Sequence, residues 1–144
     1  MASFSDNLMK GFRNFQVAMY HRSGGKMGGS INGSPLLLLT VTGRKTGKQY
    51  ALPLAYVLHD GDYLITASAA GAEKNPVWLS NLESKPEVTI EVGDKTYRVQ
   101  ATIIASGEER DRLYALFKAQ GSNFGSYEKK TARKIPVIRL KILS

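Results

Sequence analysis

The sequence contains no cysteine and only two histidines among its 144 residues. The lack of cysteine excludes disulfide bonds, thiolate metal ligands and cysteine nucleophiles. Neither His21 nor His59 stands at the spacing of a metal site. We expect both on the surface, His59 in a hairpin turn and His21 at a helix end. The sequence therefore predicts no bound metal ion.

The signatures of hydrolytic enzymes are absent as well. The segment from Gly43 to Lys48 is too short for the phosphate loop of nucleotide hydrolases, and Gln49 stands where that loop carries its magnesium-binding hydroxyl. No serine lies in a nucleophile elbow, and no glycine-rich dinucleotide motif follows a strand and opens a helix. These absences argue against hydrolysis and metal chemistry.

Long hydrophobic runs are also missing. The longest apolar run covers residues 36–39 and is far too short to span a bilayer. The first residues lack the charged start, apolar stretch and cleavage site of a secretory signal. We expect a cytoplasmic protein that does not cross the membrane.

Acidic residues are scarce, with 12 Asp and Glu against 20 Lys and Arg, which gives a net charge of +8. Asp6 is the only acid among the first 50 residues, and a second basic cluster covers residues 129–141. Such a field favours anionic partners. The charge alone does not choose between nucleic acid, an acidic lipid surface and a phosphorylated or carboxylated small molecule.

The order of the predicted elements indicates one β-rich α+β domain. Apolar residues recur every three or four positions over residues 4–20, which predicts an amphipathic helix, and a glycine-rich connector follows over residues 23–30. We expect residues 1–30 to form this N-terminal piece and residues 31–144 to form the cofactor-binding domain. Hairpin-joined strands interrupted by helices predict an antiparallel sheet closed into a small barrel.

The element boundaries follow from turn and cap signals. We predict strands over residues 36–42, 49–58, 63–68, 88–92, 97–105 and 136–143. A helix runs to about residue 84, with Asn75 as its N-cap and Pro76 at its first helical position. A second helix covers residues 107–119, and residues 121–134 form a polar loop or a short helix.

Two short segments carry the clearest binding signal. In the turn from Gly43 to Lys48, glycines let the backbone approach a ligand, and Arg44, Lys45 and Lys48 supply positive charge. The alternative is a hairpin turn that keeps charge at the edge of the barrel.

The second segment covers residues 72–78. Lys74 stands at a helix start, where free N–H groups bind anions. Trp78 and Asn81 are three residues apart and share a face of that helix. The alternative reading of Trp78 is a plug in the barrel.

Taken in order, these segments resemble the deazaflavin-dependent nitroreductase and quinone reductase family of actinobacteria. The resemblance runs from about Leu36 to the C-terminus. It rests on residues 42–47, Pro53-Leu54, Ala67-Ser68, residues 71–78 and residues 133–136.

The resemblance implies a split β-barrel related to the FMN-binding reductases. It also implies a reduced 8-hydroxy-5-deazaflavin, coenzyme F-420, that gives hydride to a hydrophobic electrophile such as a quinone, a nitro compound or an enone. The phosphate and oligoglutamate tail would be held by Arg44, Lys45, Thr46, Gly47, Lys48 and Gln49. The ring would be lined by Pro53, Leu54, Thr66, Ala67 and Ser68.

The rest of the implied site lies later in the chain. The cofactor groove would be completed by Lys74, Asn75, Val77, Trp78 and Asn81. Phe124 and Tyr127 would face the substrate, and the proton would come from Tyr127, Ser68 or water. The family's nitroimidazole activator has other residues at Ala55, Ala69 and Gly121, so nitroimidazole activation is not carried over.

Three alternatives stay open. In the first alternative, the ligand is FMN rather than the deazaflavin. In the second, the barrel is a non-enzymatic binder of anions or nucleic acid. Nucleic acid is not expected, because the aromatic residues do not interleave with basic ones on one strand face. The N-terminal helix either lies on the anionic inner face of the membrane, near a quinone pool, or packs on its own barrel or on the second subunit of a homodimer.

Overall fold

A computed structural model describes residues 17, 18, 20, 23, 30, 31, 34–120 and 123–144. Residues 17, 18, 20 and 23 are helical. Most of the predicted amphipathic helix, most of the glycine-rich connector, His21 and Gly121 lie outside the described residues.

The described part of the chain contains eight strands and three α-helices. The strands are β1 Ser30–Ile31, β2 Ser34–Thr42, β3 Gln49–Ala55, β4 Val57–His59, β5 Asp62–Thr66, β6 Glu87–Val92, β7 Lys95–Ile104 and β8 Val137–Ile142. The helices are α1 Val77–Ser84, α2 Glu108–Gln120 and α3 Asn123–Lys130. None of the helices in the described ranges is long and apolar enough to cross a membrane.

All strand pairs are antiparallel, and the sheet curls until its ends meet. Its order is β3-β2-β6-β7-β8-β5-β4, with β1 paired to the start of β2. The first and last strands of this order, β3 and β4, are separated by the single residue Tyr56. The predicted antiparallel barrel is therefore confirmed. The single strand predicted over residues 49–58 is wrong, because the chain leaves β2 at Tyr56 and joins β5.

Strand β2 is buried on both faces, which explains its uninterrupted leucines. Leu37 and Leu39 face the main core, and Leu36 and Leu38 pack against Tyr20. The hydroxyl of Tyr20 lies 3.0 Å from the carbonyl oxygen of Leu36 and accepts the N–H of Gly93 at 2.8 Å. Burial raises the pKa of Tyr20 above its ordinary value. The segment before β1 is thus fixed to the barrel at residue 20.

Helices α2 and α3 form a second core around Arg110, which is only 2% exposed. Its Nε donates to the carbonyl oxygen of Ile135 at 2.8 Å, and its Nη1 donates to Glu128 at 3.3 Å. The guanidinium lies 4.4 Å from the centre of the Tyr114 ring. Burial, followed by the charge of Glu128, raises the pKa of Tyr114 to about 12.

The predicted start of the first of these helices needs correction. Pro76 occupies the N-cap position of α1, which begins at Val77. Asn75 does not cap this helix, because its Oδ1 accepts a hydrogen bond from Arg133 Nη1 at 2.9 Å instead. The segment predicted as a polar loop or a short helix contains the short helix α3, which agrees with that prediction, and its Phe124 packs into the second core.

The pairing of Arg110 with Glu128 makes stability depend on pH. Burial raises the pKa of Glu128, but hydrogen bonds from Lys118 and Arg110 outweigh it and hold this pKa below its ordinary value of 4.5. A carboxylate with a lowered folded-state pKa stabilises the fold above its unfolded pKa, and this contribution is lost as the pH falls through the folded pKa. We expect Glu128→Gln to lower the free energy of unfolding by about 1 kcal/mol at pH 7.

The measurement is urea unfolding at a series of pH values. The gap between wild type and Glu128→Gln should close as the pH falls below 4.5. Glu83→Gln is the control, because Glu83 is exposed and has no ion pair with another described residue. A gap of constant size at all pH values would contradict this account.

Candidate functional site

Two cavities meet at Trp78. The cationic pocket, of about 610 Å³, is lined by the turn residues 43–46, by Val41, Tyr50 and Leu52, and by Pro76, Val77, Trp78 and Asn81. The aromatic pocket, of about 230 Å³, is lined by strand residues of β2, β3 and β5, by Ser68, Ala69 and Ala70, and by Trp78, Asn123, Phe124 and Tyr127. Trp78 is half-buried, packs against the main core and belongs to both walls. It therefore acts at once as core and as pocket surface.

The turn of the cationic pocket is closed by its own backbone. The N–H of Gly43 donates to the carbonyl of Lys48 at 2.7 Å, and the N–H of Gly47 donates to Gly43 at 2.8 Å. A Cβ added to Gly43 would lie 2.7 Å from Thr46 Oγ1, so a larger residue there would have to displace the Thr46 side chain. The Thr46 hydroxyl lies 3.3 Å from the Tyr50 hydroxyl. The turn therefore has one fixed shape.

Arg44 is held in this pocket by a neutral partner. Asn81 Oδ1 accepts from the backbone N–H of Arg44 at 3.1 Å and from its Nη1 at 3.0 Å. Asn81 is only 8% exposed, so its amide is a rigid anchor. No carboxylate of the described residues lies within 4 Å of Arg44, Lys45 or Lys48. The two positive charges in the pocket wall, Arg44 and Lys45, are thus available to an external anion.

The start of α1 adds to this field. Pro76 and Val77 line the cationic pocket, and the first N–H groups of a helix carry a partial positive charge. Lys74, which the sequence predicts at this point, is exposed and lines neither pocket. Residues at the start of the helix, rather than Lys74, therefore line the cavity.

The aromatic pocket carries no charged side chain among its described lining residues. Phe124 and Tyr127 of α3 stand edge to face, with their ring centres 5.7 Å apart. Opposite them, Pro53 and Leu54 come from β3, an edge strand in which proline is tolerated. The pocket therefore suits a planar, uncharged ligand.

Hydroxyl groups supply the polarity of this pocket. Ser34 is 3% exposed and Thr66 is 6% exposed. Both line the cavity, and neither side chain bonds to another residue in the described ranges. The same holds for the hydroxyls of Ser68 and Tyr127. These residues line the cavity and leave their hydroxyls available to a bound ligand.

The loop from Ala67 to Asn75 forms one wall of the aromatic pocket. Ala69 and Ala70 have φ angles of 46° and 55°, a left-handed backbone that costs a residue with a Cβ about 1–2 kcal/mol. Gly71 follows at φ 82°, and a Cβ added there would lie 2.9 Å from the carbonyl oxygen of Tyr127. The loop is therefore strained and packs directly on α3.

Arg133, which the sequence associates only with the last strand, fixes this loop. Its Nη2 lies 2.9 Å from the carbonyl oxygen of Ser68 and 3.2 Å from that of Ala67. Its Nε donates to the carbonyl oxygen of Ala72 at 2.9 Å. Burial lowers the pKa of Arg133 from its ordinary value.

Most of the predicted site residues meet in the two pockets. Arg44, Lys45, Thr46, Val77, Trp78 and Asn81 line the cationic pocket. Pro53, Leu54, Thr66, Ser68, Trp78, Phe124 and Tyr127 line the aromatic pocket.

Six predicted cofactor residues line neither pocket: Gly47, Lys48, Gln49, Lys74, Asn75 and Ala67. Ala67 is fully buried and packs in the main core, and its predicted place beside a ring stays a prediction. Gln49 opens β3 beside Thr42, in a separate shallow groove.

Sequence reasoning missed Ser34, Tyr50, Asn123 and Arg133. Serine at a strand start and arginine in a loop carry no distinctive local signal. Tyr50 lies two residues beyond the basic turn, and this spacing was the one available hint. Within the described ranges, no three His, Asp or Glu side chains come together as a metal site.

Comparison with known proteins gives a consistent picture. The family model described as F420H(2)-dependent quinone reductase matches residues 12–141. A protein of Mycobacterium tuberculosis named F420H(2)-dependent quinone reductase is 37% identical over 127 residues, which cover 85% of this chain and 85% of that relative.

Solved structures agree. A structure described as an F420-H2 dependent reductase is 35% identical with a TM-score of 0.68, covering 74% of this chain and 94% of the other. One described as a domain-swapped dimer is 29% identical with a TM-score of 0.69, covering 96% and 100%. The structure of the heme storage protein HutZ from Vibrio cholerae shares only the fold. It is 16% identical with a TM-score of 0.59, covering 76% of this chain and 82% of the other. The split β-barrel fold is thereby confirmed.

The close contact of Gly71 with α3 gives a stability prediction with a matched control. Gly61 has φ 81° and nothing within 4 Å of an added Cβ, whereas Gly71 has φ 82° and three atoms within 3.1 Å. We expect Gly61→Ala to lower the free energy of unfolding by about 1 kcal/mol through backbone strain. Gly71→Ala should cost a further 1–3 kcal/mol or so through the contact with α3. Equal losses in urea unfolding would show that the contact carries no energy.

Proposed function

The chain belongs to the family of F420H(2)-dependent quinone reductases and is a deazaflavin-dependent oxidoreductase, and we propose that its two pockets divide the reaction between them. The cationic pocket holds the anionic tail of coenzyme F-420. The aromatic pocket brings the ring together with a quinone. The observation that carries this proposal is Arg44, a cation held by the neutral amide of Asn81 beside Trp78.

The donor set of the cationic pocket fits a phosphate and carboxylate tail. Arg44 and Lys45 have no carboxylate partner among the described residues, and the start of α1 faces the same cavity. We assign tail binding to Arg44, Lys45 and Thr46. Gly47, Lys48 and Gln49 lie outside the cavity wall, so their part in binding is limited to long-range charge and turn shape.

The strand pair β2–β3 gives the cofactor its direction. Tyr50 lines the cationic pocket and Ala55 lines the aromatic pocket, five residues further along the same strand. That distance is about 16 Å at the usual rise of a strand. We therefore place the ring near Pro53, Leu54 and Thr66, next to Trp78.

Reduced coenzyme F-420 supplies the hydride when bound. The protein orients the acceptor and excludes water with Phe124 and Tyr127. The uncharged wall of the aromatic pocket favours a neutral quinone over a carboxylated acceptor. We assign proton delivery to the hydroxyl of Tyr127 or Ser68, since both line the pocket and neither bonds to another described residue.

The test is binding and turnover with the two candidate flavins. We expect coenzyme F-420, but not FMN, to quench the fluorescence of Trp78, the only tryptophan in the chain. We expect Lys45→Ala and Asn81→Asp to raise the Kd for coenzyme F-420 about tenfold, because each removes or neutralises one charge. Asn81→Asp keeps the acceptor oxygen for Arg44 and changes only the charge beside it.

The control is Lys95→Ala, which removes an exposed lysine of β7 far from either pocket wall. Its Kd should equal that of wild type. Tight binding of FMN alone would refute the cofactor assignment. Salt-sensitive affinity for nucleic acid without quinone reduction by the reduced cofactor would favour the non-enzymatic alternative.

The N-terminal segment has a further proposed role. We propose that residues 1–30 and the barrel of residues 31–144 are distinct units, and that the basic first helix contacts the anionic inner face of the membrane, where quinones dissolve. Tyr20 is 1% exposed and bonded to the barrel, so only the part before it is available for this contact. The neighbour described as a domain-swapped dimer supports a homodimer as well.

Deletion of residues 1–16 separates these proposals, because it keeps Tyr20 and its bonds. We expect the full chain to sediment with vesicles containing anionic lipid, and the shortened chain to stay in the supernatant. Uncharged vesicles are the control. Sedimentation velocity of both chains without vesicles gives their mass, and a shortened chain that is monomeric would assign the segment to the dimer instead.

A further inference from the structure

The guanidinium of Arg133 makes four hydrogen bonds, all to the loop of residues 67–75. The acceptors are the carbonyl oxygens of Ala67, Ser68 and Ala72 and the side-chain oxygen of Asn75. None is a carboxylate. Three nitrogens of the planar guanidinium donate toward these four acceptors. A lysine ammonium has a single nitrogen and cannot make the same set of bonds.

The loop that Arg133 holds is strained. Ala69 and Ala70 both have left-handed backbones, and such a pair persists only where the surroundings over-determine it. Within the loop, the bonds from Gly71 N to the carbonyl of Ser68 at 2.8 Å and from Ala72 N to Ala69 at 3.1 Å close two tight turns. Arg133 supplies the bonds that cross the loop.

The loop also locates the opposite wall of the aromatic pocket. Gly71 lies against the backbone of Tyr127, with no room for a Cβ between them. A shift of the loop therefore moves α3, together with the rings of Phe124 and Tyr127. The width of the pocket depends on where the loop stands.

We propose that Arg133 is a positioning residue for hydride transfer. Its guanidinium holds residues 67–75 in their strained shape and so sets the separation between the ring side at Ser68 and the acceptor side at Tyr127. This inference rests on the proposed function of the two pockets. Arg133 itself lines neither of them, and it acts through the loop.

A purely structural role is less consistent with its contacts. Arg133 is half-buried, and it bonds to the pocket loop rather than to the packed side chains of either core. Ala67, at the start of the loop, is independently tied to the barrel through its N–H bond to Pro136 at 3.0 Å. Loss of the guanidinium should therefore loosen the loop beyond Ala67 while the barrel stays folded.

The experiment compares Arg133→Ala and Arg133→Lys with Arg112→Ala, which removes an exposed arginine without a bond to another described residue. The first measurement is amide hydrogen exchange of the protein alone. We expect the amides of Gly71 and Ala72 to exchange at least about tenfold faster in Arg133→Ala. The amide of Ala67 should keep its protection, as an internal control.

The second measurement separates positioning from binding. We expect Arg133→Ala to change the Kd for coenzyme F-420, read from Trp78 quenching, by less than about threefold, while kcat with a neutral quinone falls about 100-fold. Arg133→Lys should not recover this loss. Added guanidinium chloride, below denaturing concentrations, should restore part of the kcat of Arg133→Ala, and sodium chloride at equal ionic strength should not.

The outcomes separate the two hypotheses. Unchanged exchange at Gly71 and Ala72, or an unchanged kcat, overturns the role of Arg133. A wild type that does not bind coenzyme F-420 overturns the proposed function, whatever the exchange data show. If Arg133→Ala does not fold, Arg133→Lys and Asn75→Ala replace it, because each loses only some of the four bonds. Amide exchange at Gly71 and Ala72 must then increase with the number of bonds lost. Exchange that stays at the wild-type rate in both variants also overturns the role of Arg133.

Discussion

The closure of the barrel at Tyr56 is the constraint on which the rest of this structure depends. One residue joins β3 to β4, and therefore joins the two ends of the sheet. Both backbone groups of Tyr56 are satisfied, since its N–H donates to Pro35 at 3.2 Å and its carbonyl accepts from Gln120 at 2.8 Å. The aromatic pocket opens beside this junction, where Ala55 ends β3. The same short stretch of chain, Ala55 and Tyr56, therefore closes the sheet and borders the aromatic pocket.

Five arginines of the described chain divide into two groups by the charge of their partners. Arg98, Arg110 and Arg139 each contact a carboxylate, and their positive charge is locally cancelled. Arg44 and Arg133 are held only by amide and carbonyl oxygens in the described chain. Neutral acceptors fix the position of a guanidinium without removing its field. Of these two, Arg44 lines the cationic pocket, where its charge is available to an anionic ligand, and Arg133 lies behind the aromatic pocket, where it holds the loop of residues 67–75.

The sequence was sufficient for the sheet, because period-two patterns and hairpin turns are local properties. It also brought together most of both pockets, through the basic turn, Trp78 and the Phe124–Tyr127 pair. Sequence reasoning failed where contacts between residues far apart in the chain determine the position of a side chain. Asn75 has the residue type of an N-cap, but Arg133, 58 residues away, takes its side-chain oxygen. Ala67 follows the end of β5, and its side chain packs in the main core, which its local sequence does not indicate.

Tyr20 has a consequence for the order in which the chain assembles. Its hydroxyl sits between Leu36 of β2 and the residues Glu91 and Gly93 around the end of β6. That site exists only after β2 and β6 have paired, about 50 residues apart in sequence. Tyr20 therefore docks late, once the middle of the barrel is built. Until then its ring, which is 1% exposed in the folded protein, stays in contact with solvent.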